Sequence, residues 1–128
     1  MRFKEESMRE QFESRPALLK EICAEFCALS ESFGVEPVVT RVTDPVPGES
    51  GVHPAGRAVD FRDEYSGLRG VFRLYTDAQA EEIVRTINAK YPRKDGKLVC
   101  IHHCFNGGRL HFHLQIGRTL SVHGRNEI

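Results

Sequence analysis

The sequence predicts an α+β fold, with helices packed on one side of a small, largely antiparallel sheet. Three observations predict it. Two stretches, 16–33 and 76–91, repeat apolar residues at intervals of three and four, the period of an amphipathic helix. Short β-rich segments at 35–42 and 58–62 lie between them. The chain then runs through two β-rich segments joined by Asn106-Gly107-Gly108, a strong hairpin signal.

In the first helical stretch Leu19, Ile22, Phe26, Leu29 and Phe33 make one apolar stripe. Ser14 is placed to cap it, Pro16 suits its first turn, and Gly34 ends it. Residues 5–13 read as a shorter helix or a frayed arm, so 1–13 is set apart as an N-terminal piece. Val35 to Val42 is a strand that Pro37 limits to an edge or a late start. Residues 43–57 form an irregular loop carrying Pro45, Pro47, Pro54, Gly48, Gly51 and Gly56. Ala58–Arg62 is a short strand. The second helix begins at Thr76, where Thr76 and Gln79 match a capping box, and it buries Ala80, Ile83, Val84, Ile87 and Tyr91.

The closing hairpin pairs Leu98–Phe105 with Arg109–Ile116. A Gly-Gly turn sets Phe105 against Leu110, Ile101 against Leu114 and Val99 against Ile116, so one face is apolar. The other face carries His111, His113 and Gln115, with Cys100, His102 and Cys104 across from them. In this register His103 points to the apolar side and has a structural role. Residues 118–128, which include His123, read as a polar tail.

The bulk properties bound the function. A chain of 128 residues is one domain, 1–128, and is expected to be a monomer. Lys plus Arg and Asp plus Glu both total 18, so no net field favours nucleic acid or a membrane surface. No apolar run approaches the roughly 18 residues that span a bilayer. The polar start, Met1 to Glu6, is not a signal peptide, which predicts a cytoplasmic chain unless it is released by another route. Cys23, Cys27, Cys100 and Cys104 lack the spacing of a zinc knuckle and read as small core residues.

The segment from His53 to Asp60 has the skeleton H-x-x-G-x-A-x-D. His53 ends a loop, Gly56 lets the chain turn, and Ala58 leaves room beside the Asp60 carboxylate. Imidazole and carboxylate are good zinc ligands, and His113 on the polar face of the hairpin supplies a third. Three protein ligands leave a coordination position for water, the layout of a catalytic site.

The same segment resembles the S-x-H-x-x-G-x-A-x-D motif of the D-alanyl-D-alanine carboxypeptidase and dipeptidase family. That family includes phage L-alanyl-D-glutamate endolysins, and it is related to lysostaphin-type peptidases and the hedgehog domain. His111-Phe112-His113 matches the H-x-H form in which the second histidine binds the metal, and the likeness runs over roughly residues 38 to 118. It implies a zinc peptidase-like domain with ligands His53, Asp60 and His113, and peptidoglycan-derived peptides as substrate. It also implies that Arg41 stabilises the oxyanion. The chain departs from the motif at Gly51, where the family has Ser, and at Leu110, where an E-x-x-H glutamate would stand. With that glutamate missing, His111 is the expected general base, because it shares the strand face of His113 and an imidazole is suited to proton transfer near neutral pH. His102 and Gln115 are expected to face the substrate. Glu49, Asp63 and Glu64 read as solvated loop charges with one fallback base among them. The expected activity is carboxypeptidase or endopeptidase, including a phage or prophage lysis enzyme released to the wall. The alternative is a non-catalytic zinc module or a phage structural protein on the same scaffold.

Overall fold

The computed structural model describes residues 1–43, 53, 55–105 and 107–117. Pro45, Pro47, Gly48, Glu49, Ser50, Gly51, Pro54, Asn106 and the 118–128 tail with His123 lie outside the described residues.

The described residues form three helices and two sheets, a mixed α+β architecture. In chain order they are β1 (Arg2–Phe3), α1 (Ser7–Glu13), α2 (Ala17–Ser32), β2 (Val38–Arg41), β3 (Ala58–Arg62), β4 (Glu64–Gly67), β5 (Gly70–Arg73), α3 (Asp77–Lys90), β6 (Cys100–His103) and β7 (His111–Gln115). The main sheet has the order β1-β2-β3-β7-β6, and only the β1–β2 pair is parallel. The strands β4 and β5 form a separate hairpin. Among the described residues no helix is long and apolar enough to cross a membrane.

The two long helices form where the apolar stripes predict them. Pro16 immediately precedes α2, and Gly34 follows it with φ +76°, a conformation glycine adopts without steric cost. Ser14 does not cap α2; it closes α1, where its hydroxyl donates to the Gln11 carbonyl. The capping box at α3 forms as expected: the Thr76 hydroxyl accepts from Gln79 N–H, and the Gln79 side chain accepts from Thr76 N–H. Residues 1–13 are no loose arm. Phe3, Met8 and Phe12 join the core, and β1 adds an outer strand to the sheet.

The core lies between α2, α3 and one sheet face. Leu19, Ile22 and Phe26 of α2 and Ile83 and Ile87 of α3 meet Val39, Val59, Phe61, Phe112 and Leu114. The Phe26 ring lies 4.4 Å from Phe61 and 5.0 Å from Phe112, centroid to centroid. Alternation along the strands then sends Asp60, Arg62, His111, His113 and Gln115 to the opposite face.

The hairpin register differs by one residue from the expected one. Cys100 pairs with Leu114, Ile101 with His113, His102 with Phe112 and His103 with His111. A one-residue slip exchanges the faces of a strand. Cys100 and His102 therefore turn inward, while Ile101 and His103 turn to the face of His113. Two polar anchors, one half-buried and one buried, account for this choice. Asn88 of α3 accepts from the Val99 and Cys100 N–H groups at 3.0 and 2.9 Å and donates to the Cys100 carbonyl at 2.9 Å. The fully buried Asp63 accepts from His102 Nε2 at 2.6 Å. Either anchor would lose its partners in the slipped register, and an unmet buried polar group costs about 1–3 kcal/mol.

Candidate metal centre

Asp60 stands at the middle of β3, with Arg41 of β2 opposite it on one side and His113 of β7 on the other. A register shift between Val39 and Arg41 brings Arg41 into that position. His53 reaches the same point from the loop before β3. Its carbonyl accepts from Gly56 N–H at 2.9 Å, closing a turn in which Gly56 has φ +76°. Arg15 packs so close to Gly56 that an added Cβ would lie 2.6 Å from its guanidinium.

One ligand atom from each of His53, Asp60 and His113 lies within 4.8 Å of the others, and the three residues are buried. They are 0%, 4% and 8% exposed. The donor set sits on the sheet face away from α2 and α3 but is not open to solvent.

The hydrogen bonds around the rings fix which nitrogen faces the centre. His53 Nδ1 donates to the Val42 carbonyl at 3.0 Å, so Nε2 of the neutral ring carries a lone pair. That Nε2 lies 3.1 Å from Asp60 Oδ1 and makes no hydrogen bond of acceptable geometry. The Gln115 amide donates from Nε2 to the Leu98 carbonyl at 2.9 Å, so its Oε1 is the atom that faces His113 Nε2 at 3.0 Å. A carbonyl oxygen only accepts, so His113 carries its proton on Nε2. In the neutral ring Nδ1 is then a lone pair, 2.8 Å from Asp60 Oδ1. Two imidazole lone pairs thus converge on one carboxylate oxygen. Such an arrangement repels itself unless a cation, an added proton or a metal ion, lies among the three. The residues present fit a metal ion: two nitrogens and one carboxylate oxygen suit a first-row divalent cation. Burial alone would raise the Asp60 carboxyl; when the added cation is a proton, the protonated His113 and His53 donate to it, outweigh burial and hold it well below the usual carboxylate range.

The other expected residues divide between this centre and elsewhere. Arg41 Nη1 lies 3.8 Å from Asp60 Oδ2. His111 Nδ1 donates to the Arg109 carbonyl at 2.8 Å, and its Nε2 lies 3.6 Å from Asp60 Oδ2. Arg41, Asp60 and His111 also line a groove of about 550 Å³. Gln115 is engaged with His113 and the Leu98 carbonyl. His102 does not face His113 at all. It stacks on Phe112 with centroids 4.4 Å apart and bonds to Asp63.

Asp63 is no solvated charge. Besides His102 it accepts from Arg73 at 3.0 Å and from the Leu74 and Tyr75 N–H groups. Burial opposes its ionisation, but these partners prevail and hold the carboxyl below its ordinary value. Glu64 does line the groove, and its Oε1 accepts from the Leu110 N–H at 2.7 Å.

The residue that sequence reasoning missed is His103. Its ring centroid lies 4.8 Å from His111 and 5.9 Å from His113. Burial and the two neighbouring imidazoles lower its pKa. The signal that would have found it is the length of the hairpin loop, because seven residues separate His103 from its partner His111.

Comparisons with known proteins add no relative: no family model, no curated protein and no solved structure matches the chain.

Proposed function

We propose that this chain is a zinc metallopeptidase that hydrolyses peptidoglycan peptides, as a D-alanyl-D-alanine carboxypeptidase or an L-alanyl-D-glutamate-type endopeptidase. The observation that carries the reading is the convergence of two fixed imidazole lone pairs and an ionised carboxylate at His53, His113 and Asp60. The H-x-x-G-x-A-x-D and H-x-H motifs supply the family expectation, including a hedgehog- or D-Ala-D-Ala-peptidase-like fold.

Zinc, when bound, supplies a Lewis acid for a peptide carbonyl and makes water acidic enough to act near neutral pH. The protein residues do the rest. His111 Nδ1 is tied to the Arg109 carbonyl, so its Nε2 is the basic nitrogen and is turned toward the cluster. That nitrogen accepts the proton of the attacking water and later returns a proton to the leaving amine. Arg41 offers a cation to the oxygen on which negative charge develops. His103 packs against the His111 ring and restricts its orientation.

One specific feature favours the alternative of a non-catalytic zinc module or phage structural protein: Leu110 stands where the family's E-x-x-H glutamate would be. Two measurements decide. Purified peptidoglycan and acyl-D-Ala-D-Ala are incubated with the protein, with and without chelator. Chelator-sensitive release of peptide products is expected, and no release from any wall type would establish the binding module. His53→Ala should lower zinc content well below one per chain, and full retention would sink the ligand assignment. Release to the wall during phage lysis belongs to the same proposal.

A further inference from the structure

The groove that begins at the cluster is unusually cationic for a chain of zero net charge. Among the described residues Lys4, Arg41, Arg62 and Arg109 line it, against Asp60 and Glu64. Asp60 belongs to the metal centre, and Glu64 already accepts from Leu110. Arg41 is drawn toward Asp60, and Arg109 donates to the Ser66 hydroxyl. Arg62 differs. It is half-buried, and its guanidinium makes no hydrogen bond or ion pair with any described residue. A guanidinium partly withdrawn from water is a ready partner for a carboxylate, which it can bind through two parallel hydrogen bonds.

Its place on the strand fixes where that carboxylate would lie. Arg62 follows Asp60 by two residues on β3, so both side chains leave the same sheet face. Two strand residues span about 7 Å. A carboxylate held by Arg62 therefore sits within about two peptide units of a bond presented to the cluster. Tyr65 and Phe105 give the same groove apolar wall for the neighbouring chain.

We propose that this groove selects acidic peptides, with a substrate carboxylate seated on Arg62. The inference rests on the peptidase reading and gives it a substrate class. Lys4 and Arg109 add long-range attraction, and Arg62 alone gives the directional contact.

The test uses the zinc-loaded full chain and a matched pair of probes, acetyl-Ala-Glu-amide and acetyl-Ala-Gln-amide, titrated by NMR. The glutamate peptide should bind about ten- to a hundredfold more tightly, the range of a hydrogen bond to a charged group. Arg62→Gln should erase that preference while zinc per chain stays the same. Arg62→Lys, which keeps the charge but loses the fork, should retain part of it and covers the case in which Arg62→Gln fails to fold. Arg85→Gln on α3 should change nothing. Equal binding of the two probes, absent binding of the acidic one, or an undiminished preference in folded Arg62→Gln overturns the proposal. Failure of the peptidase reading looks different: the acidic probe binds with the expected preference, and no wall peptide is cleaved.

Discussion

Replacing Gln115 with methionine keeps the side-chain volume but removes both amide hydrogen bonds, one to His113 Nε2 and one to the Leu98 carbonyl. His113 is only 8% exposed, so its Nε2–H is left with little access to water. An unmet buried donor costs about 1–3 kcal/mol. The ring can relieve that cost by moving its proton to Nδ1, which withdraws the lone pair from the metal centre. Either way metal binding bears the loss, and 1–3 kcal/mol corresponds to roughly a 5- to 150-fold weaker affinity. That agrees with the 10- to 100-fold typical of groups that orient a metal-bound histidine. The assay is competition for zinc against a chromophoric chelator, paired with ¹⁵N NMR of the His113 ring. Gln115→Glu, which restores an acceptor, should recover most of the affinity. A folded Gln115→Met protein with unchanged zinc affinity, or a wild-type His113 protonated on Nδ1, would refute the reasoning.

Three further outcomes are expected. Gly56→Ala forces a side chain into φ +76° and should cost about 1–2 kcal/mol in denaturant melts, with weaker zinc binding because the His53 turn is distorted. Gly34→Ala, at the same φ but far from the centre, should cost a similar amount and leave zinc affinity intact. Asp63 is held below its ordinary pKa, so the stability it contributes is complete above about pH 5, begins to fall near the unfolded value of about 3.9 and is lost as pH drops through the lower folded value. Urea melts between pH 5 and pH 3 should show a shallower acid loss in Asp63→Asn than in wild type. Among the four free thiols, exposed Cys104 should react with a disulfide reagent at once. Cys100, pushed up to about 12 by burial, and the fully buried Cys23 should react only on unfolding.

What was legible in the sequence was local. The stripes of α2 and α3, the capping box at Thr76 and the strand at Ala58–Arg62 are each set by residues a turn or two apart, and each formed where expected. What was not legible depended on distant partners or lacked a pattern. The two residues of β1 become a strand only because β2, 36 residues on, lies beside them. The β4–β5 hairpin has no buried–exposed alternation to read: all four residues of β5 are exposed, and Leu68 at the turn is fully so.

The site shows the same division at finer grain. His53, Gly56 and Asp60 are near in sequence, and the H-x-x-G-x-A-x-D motif they share predicted that His53 and Asp60 meet. His113 could be placed because it faces the same side as His111 and Gln115 whatever β6 does. The neighbours of His113 across the hairpin could not be placed, because apolar pairing points to the register that the chain does not adopt. Ile101 opposite Leu114 is a hydrophobic pair, whereas the adopted register sets Ile101 against His113 and Phe112 against His102, so apolar pairing alone favours the wrong one. The choice falls to the polar groups that cannot be left unmet: Asn88 needs the Val99 and Cys100 backbone, and buried Asp63 needs His102. Helix α3 and the segment after β3 thus decide which histidine of the His102-His103 pair stands beside the candidate metal centre. Asp63→Asn tests that link as well as the acid stability. With the charge removed, the hold on His102 weakens, and the His103–His111 contact should loosen although neither residue touches position 63.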